Sequence, residues 1–454
     1  MKISLRWLCD HLDTEWRSIN VDLLVELFNT KVAEIEQVDT VSHAVSEWSL
    51  KSDGVIVHTA TQQPVSYRDV GVDKEGTLPP VHVTGADDQL AAQWEADDVI
   101  LEVDNKSVTH RPDMWGHRGF AREIAALLAI PFKDKAAFLA DVPVEYNQNG
   151  VAHDGSFTLQ NDDPTRCKTL TGLHVPQLAM QETDIKMLSR FVKIGYRGIN
   201  ATVDLTNYVM ADWGQPMHAY DANRLSGNLL RARRAKEGET LALLDDSECE
   251  LTAEDTIVAD SEKTLGLAGI MGGRDDSIND NTTHVLLEAA CWHASSTRRS
   301  AARHKVRTES SQRFEKTLDP AMTVESLQRY MGLVAELGIA HTSKGVIWAT
   351  GEQTIAPTLT MTHQRIERDL GITISVDIVR DILKKLSFGV DTVAASGDTT
   401  YTITIPTFRA SKDVTAVHDI VEEIARSYGF DRITPELPLL HKEPTDFEPV
   451  HRVR

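Results

Sequence analysis

Length without repetition is the feature that most constrains this chain. Its 454 residues contain no internal repeat and no low-complexity tract, and they exceed what one hydrophobic core ordinarily serves. Roughly two to four separately cored domains are expected. The hydrophobic share of 41% and charged share of 25% are those of a water-soluble globular chain. The longest apolar approach, "EIAALLAIPF", falls short of a membrane span, and "MKISLRWLCDHLDTEW" places charges where a signal peptide needs an apolar centre. Cys9, Cys167, Cys249 and Cys291 lie far apart with no CxxC, which excludes a zinc ribbon or disulfide framework and fits a reducing cytoplasm.

With 68 acidic and 47 basic residues, the net charge of −21 opposes indiscriminate binding to a phosphate backbone. Selective binding through local basic patches stays open. Two exist, "RARRAK" at 231–236 and "RRSAARHKVR" at 298–307. Taken alone, each reads first as a solvated face paired with the chain's many acids.

The patterning is mixed throughout and predicts a multi-domain α+β fold. Residues 1–40 open with short amphipathic helices, and 41–95 read as a connector or a reduced barrel. Residues 96–165 give a strand, a proline turn, the helix of "GHRGFAREIAALLAI" and a polar boundary with an edge strand. From 166 to 350 helices alternate with strands, among them "HVLLEAACW" as a buried strand and "MTVESLQRYMGLVAELG" as a long helix. Residues 355–432 form a small helix-and-strand domain, and 433–454 form a proline-bearing tail with no regular element.

Familiar catalytic signatures are missing: there is no P-loop, GxSxG or HExxH. Four features remain. In "LTNYVMADWGQPMHAYD" the Gly214-Gln215-Pro216 turn must redirect the chain sharply, which places His218 either in a pocket or merely near a helix end. In "LGLAGIMGG", Gly272 and Gly273 serve either tight backbone packing or close approach of a ligand to main-chain N–H groups. Glu288 interrupts an apolar strand, as a pocket acceptor or as an edge residue facing water. A fourth feature, "KDVTAVHDIVEEIAR", sets Asp419, Glu422 and Glu423 on one helical face with Asp413 near its start. These acids read equally well as hard-cation ligands or as the acid-rich first half of a helix.

Five segments in order, "VDLTNYVMADWGQPMHAYD", "GIMGGRDDSI", "LLEAACW", "RRSAARHKVRTESSQRFEKTLDP" and "FRASKDVTAVHDIVEEIARSYGFDRI", resemble the beta subunit of bacterial phenylalanine–tRNA ligase. The resemblance covers residues 1–40 and about 96–440. It implies an editing domain at 166–350 that hydrolyses tyrosine mistakenly attached to tRNA(Phe), with His218, Gly272, Glu288 and Thr308 as editing residues. Ser310 stands where the family often has alanine, which adds a hydroxyl to the pocket wall. The resemblance further implies magnesium held by Asp413, Asp419, Glu422 and Glu423. It implies an alpha subunit that uses ATP, in an assembly of two alpha and two beta chains.

The physics suits that task. Tyrosine and phenylalanine differ by one hydroxyl, and a buried acceptor such as Glu288 can pair with it and offers phenylalanine nothing. His218 would position water or the ester, and Thr308 with the Gly272 backbone would hold the carbonyl or the terminal ribose. The family's oligonucleotide-binding barrel is expected to be lost or reduced at 41–95. The tail is expected to lead to a synthetase-like domain absent from this chain. Two rivals are a free-standing tRNA-editing hydrolase and a non-catalytic tRNA-binding or scaffold module.

Overall fold

The computed structural model describes residues 1–83, 90–274, 278–279, 281–342, 345–351, 353–395 and 397–434. Most of the expected tail, from residue 435 on, lies outside them. The fold is α+β, with several small sheets each backed by helices.

At the N-terminus, strand Asp97–Val103 runs antiparallel between Lys2–Ser4 and Ile35–Ser42, with Ile3 opposite Leu101 and Asp39 opposite Ile100. Helices Val21–Lys31 and His117–Leu128 cover this sheet, and Ile3, Leu24, Phe28, Leu101 and Phe120 form its core. Residues 41–95 build a small unit around the hairpin Trp48–Leu50 and Ile56–His58. Its core of Trp48, Ile56, Val65 and Trp94 closes against Leu188 and Val192 of helix Ile185–Ile194. Gly195, at φ 83°, ends that helix as its sequence position requires.

The central region holds the site. A five-stranded sheet runs in the order Met217–Asp221, Val285–Trp292, Cys167–Val175, Ile347–Thr350, Val144–Asn147. A six-stranded sheet runs Met271–Gly272, Thr264–Leu267, Thr256–Ala259, Leu229–Arg234, Thr158–Asn161, Val151–His153. All eight residues of Val285–Trp292 are buried, and their alternation decides what each one touches. Val285, Leu287 and Ala289 pack under helices Ala201–Trp213 and Met322–Glu336, against Leu205, Val209, Leu327 and Tyr330. Leu286, Ala290 and Trp292 face the six-stranded sheet with Leu230, Val258 and Leu265. Each aliphatic side chain so buried stabilises the fold by about 1.5–3 kcal/mol.

Asp212, fully buried near the end of helix Ala201–Trp213, joins three parts of the chain. It accepts from Trp7 Nε1 at 3.0 Å and Arg329 Nε at 3.1 Å, and pairs with His11 Nε2 at 2.7 Å. A buried carboxylate without such partners would cost several kcal/mol, roughly. The last region pairs Asp398–Thr404 with Thr358–Thr362 on one side and Gly389–Ala395 on the other. Helices His363–Leu370, Val376–Lys385 and Val417–Tyr428 enclose Met361, Ile366, Leu383, Tyr401 and Ile424.

Candidate functional site

Helix Ala201–Trp213 begins at the Asn200 cap and ends at Gly214, whose φ of 87° lies in the left-handed region. The sharp turn expected from Gly-Gln-Pro is present. The next element is a strand, so His218 sits within Met217–Asp221 and not at a helix end. Gln215, fully buried, donates from Nε2 to the Ala290 carbonyl at 3.0 Å and so pins the turn beside Glu288.

His218 pairs in register with Glu288 across the two strands, and Gly172 flanks Glu288 on its other side. By the same alternation His218, Tyr220 and Glu288 all project between the two sheets. There they line a cleft of about 70 Å³ with Val258, Leu267 and Met271 opposite and Trp292, Ser310 and Phe314 closing its end. Glu288 is 6% exposed, and burial pushes its carboxyl up to about 7 against the opposing effect of a hydrogen bond from Tyr220. Tyr220 Oη donates to Glu288 Oε2 at 3.2 Å. Burial likewise lowers His218 to about 4, so its ring is neutral at pH 7. The ring stacks edge-on against Tyr220 with centroids 4.5 Å apart and makes no side-chain hydrogen bond to a described residue.

The glycines acquire a definite meaning. A Cβ at position 272 would lie 2.6 Å from His218 Cε1 and 2.9 Å from Nε2, so Gly272 is small because the imidazole occupies that space. Gly273 spends its N–H on the Leu265 carbonyl. The close approach here is by a side chain of the chain itself.

Four of the five anticipated residues, His218, Gly272, Glu288 and Ser310, therefore share one cleft. Thr308 does not line it. It caps helix Glu309–Phe314, accepting from the Ser311 N–H at 3.0 Å and donating to the Ile270 carbonyl at 2.8 Å. In this arrangement it holds the Ile270–Gly272 edge. Tyr220 and Gln215 were not anticipated. The first shares a face with His218, two residues before it on a strand that the sequence did not declare.

The anticipated magnesium ligands Asp413, Asp419, Glu422 and Glu423 line one cavity, but their carboxylates make separate contacts. Asp413 pairs with Arg409, and Arg111 Nε lies 3.6 Å from it. Glu423 takes Arg409 at 3.0 Å and Arg426 at 2.6 Å. Asp419 turns back to accept the Thr415 and Ala416 N–H groups, each at 2.8 Å, and Glu422 faces solvent. Among the described residues no group of three or more His, Cys, Asp or Glu is placed to hold an ion. Two of the carboxylates have guanidinium counter-ions and a third is a helix cap. Arg409 lies four residues before Asp413 and Arg426 three after Glu423, so only Arg111 reaches this cluster from far along the chain.

Comparison with known proteins places these features. Residues 166–338 match the B3/4 domain model and residues 359–430 the tRNA synthetase B5 domain model. The two in this order define a chain of the aminoacyl-tRNA synthetase class. The phenylalanine–tRNA ligase beta subunit of Solibacter usitatus is 38% identical over 345 residues, 76% of this chain and 43% of that protein. The beta subunits of Anaeromyxobacter dehalogenans and Geobacillus kaustophilus are 33% and 34% identical, each over 82% of this chain. Within the class, the chain belongs to the phenylalanine–tRNA ligase beta-subunit family, and it spans under half the length of these relatives. An N-terminal fragment of the Pyrococcus horikoshii phenylalanyl-tRNA synthetase beta-subunit gives a TM-score of 0.46 at 13% identity, covering 94% of this chain and 99% of that one. No helix among the described residues is long and apolar enough to cross a membrane.

Proposed function

We propose that the cleft between the two central sheets hydrolyses Tyr-tRNA(Phe) and spares Phe-tRNA(Phe). The chain would work beside an alpha subunit that activates phenylalanine with ATP, as the family name of its relatives suggests. The observation that carries this reading is Glu288. It is a buried carboxylate on an otherwise apolar strand, held through Oε2 by Tyr220 and set opposite an imidazole with no hydrogen-bond partner among the described residues. Its remaining acceptor capacity suits a phenol and has nothing to offer a phenyl ring.

The chemistry requires little of the protein. Water attacks the ester carbonyl carbon, the bond from that carbon to the ribose oxygen breaks, and the proton from water ends on the ribose oxygen. Free tyrosine and tRNA with an intact terminal ribose are released. The neutral His218 ring orients that water by accepting its hydrogen bond. With its basicity depressed, it positions the water more than it stores a proton. Gly272 leaves the imidazole room, and Thr308 keeps that edge in place through Ile270.

The test is deacylation of pre-charged tRNA. Glu288→Ala should abolish the preference for the tyrosyl ester, and His218→Ala should slow hydrolysis without restoring attack on the phenylalanyl ester. Retained tyrosine preference in Glu288→Ala would refute the assignment.

A further inference from the structure

The two basic patches differ in a way their sequences do not show. In the 231–236 patch every arginine has an acidic partner. Arg231 pairs with Asp162 at 2.5 Å, Arg233 with Glu239 at 2.7 Å and Arg234 with Asp163 at 2.6 Å. The charge of its three arginines is spent within the fold. In the second patch, helix Ala294–His304 buries Ser296, Thr297 and Ser300, and the Arg303 and His304 side chains pair with Asp255. Arg298, Arg299, Lys305 and Arg307 are exposed, and none of their side chains forms an ion pair or hydrogen bond with a described residue. Residues 293–308 contain no acid at all, in a chain where acids outnumber bases by 68 to 47. The neighbouring carboxylates are committed elsewhere: Asp255 to the inner face of this helix, Glu254 to Arg166 and Glu309 to Arg313.

Position adds a second argument. Trp292, two residues before this helix, lines the cleft, as do Ser310 and Phe314 of the helix that comes after it. The helix is therefore the link between two stretches of the cleft wall, and it packs on strand Thr256–Ala259, which supplies Val258.

We propose that Arg298, Arg299, Lys305 and Arg307 form a docking surface for the phosphate backbone of an RNA whose 3′ end enters the adjacent cleft. The inference rests on the editing reading for the identity of that RNA. A polynucleotide with its terminal ester in the cleft must lead away over neighbouring protein, and four unspent cations beside the cleft supply what its phosphates require. Guanidinium groups suit the role, because each can meet two phosphate oxygens at once. The chain's net charge of −21 repels the strand away from this patch and confines binding to this face.

The test uses the whole chain and a fluorescein-labelled tRNA(Phe) transcript, titrated at several salt concentrations. Replacing the four cations by glutamine should weaken binding at least about tenfold at low salt and reduce the slope of log affinity against log salt by about 2 to 3. A variant with the three arginines changed to lysine keeps the charge and should keep the slope. Changing Arg231, Arg233 and Arg234 to glutamine should leave affinity within about twofold. Unchanged affinity and slope in the four-site variant would overturn the proposal. An equal loss in the 231–234 control would do the same, and so would displacement of the labelled RNA by polyglutamate as readily as by unlabelled RNA. Slope loss in the four-site variant, together with no tyrosine preference in the unmutated chain, would support the surface while refuting the editing reading.

Discussion

His218 stands directly opposite Glu288 across the antiparallel pair Met217–Asp221 and Val285–Trp292, and burial drives both toward their uncharged forms. With the imidazole lowered to about 4 and the carboxyl raised to about 7, the pair is neutral between those pH values. That places a polar, uncharged couple at the wall of an otherwise apolar cleft, where either partner can exchange a hydrogen bond with a ligand without an ion being desolvated.

The Glu288 shift makes stability depend on pH in a definite direction. Its carboxyl ionises near 4.5 in the unfolded chain and near 7 in the fold, so the unfolded state releases its proton first as pH rises. Stability is lost progressively across that window, and above about pH 7 the full cost is present. Glu288→Gln, which cannot ionise, should match the parent below about pH 4.5 and exceed it by about 3 kcal/mol near pH 8, as an order of magnitude. Urea unfolding at the two pH values checks this, and a constant difference between them would contradict it.

Tyr220→Phe keeps the ring against His218 and removes the hydroxyl that donates to Glu288 Oε2. That bond lowers the Glu288 pKa, so its loss should move the titration above 7 and cost about 1 kcal/mol of stability. Carbon-13 NMR of labelled glutamate reads the titration directly. An unmoved midpoint would show that the hydroxyl does not hold the carboxylate.

Gly272→Ala should be costly to hydrolysis and cheap to the fold. The added methyl must displace the His218 ring, which lies within 2.6–2.9 Å of it, while the backbone on either side can stay in place. Tyrosyl deacylation should fall at least about tenfold, since an angstrom of misplacement costs up to a hundredfold, with Tm changed by only a few degrees. A variant with parental activity would place the imidazole outside the chemistry.

Arg426 joins the terminal domain to the N-terminal unit. It meets Glu423 at 2.6 Å within its own helix and Glu123 at 3.0 Å, 303 residues earlier in the chain. Arg426→Met removes one guanidinium partner from each of two buried carboxylates, which keep Arg409 and Arg111, and should destabilise the chain by about 1.5–3 kcal/mol. Magnesium chloride should leave Tm unchanged in the parent. A rise of several degrees that disappears in the Glu422→Gln, Glu423→Gln double variant would restore a metal role to these acids.

How much was legible in the sequence depended on whether the deciding interaction was local. Helices Met322–Glu336 and Val417–Tyr428 declared themselves through apolar residues at helical spacing, and the Val285–Trp292 strand through a short unbroken run. The Gly214 turn was local chemistry and came out as expected. Strand Met217–Asp221 was hidden, because "MHAYD" has no clear alternation and its partner strand is almost 70 residues away. Part of the surroundings of the acids at 413–423 was hidden for the same reason. Their shared helical face was readable, whereas Arg111, reaching Asp413 from far along the chain, was not. Thr308 lay where the resemblance put it, and only the hydrogen bond to Ile270 showed that its hydroxyl was already engaged.

The most direct test of the central claim is the ratio of kcat/KM for hydrolysis of Tyr-tRNA(Phe) and Phe-tRNA(Phe), measured with both charged substrates in parallel. A buried acceptor that pairs with the phenol should favour the tyrosyl ester by a hundredfold or more, on the order of what a site built around one hydroxyl achieves. Glu288→Ala should bring that ratio close to one. Equal hydrolysis of the two esters by the unmutated chain would contradict the account.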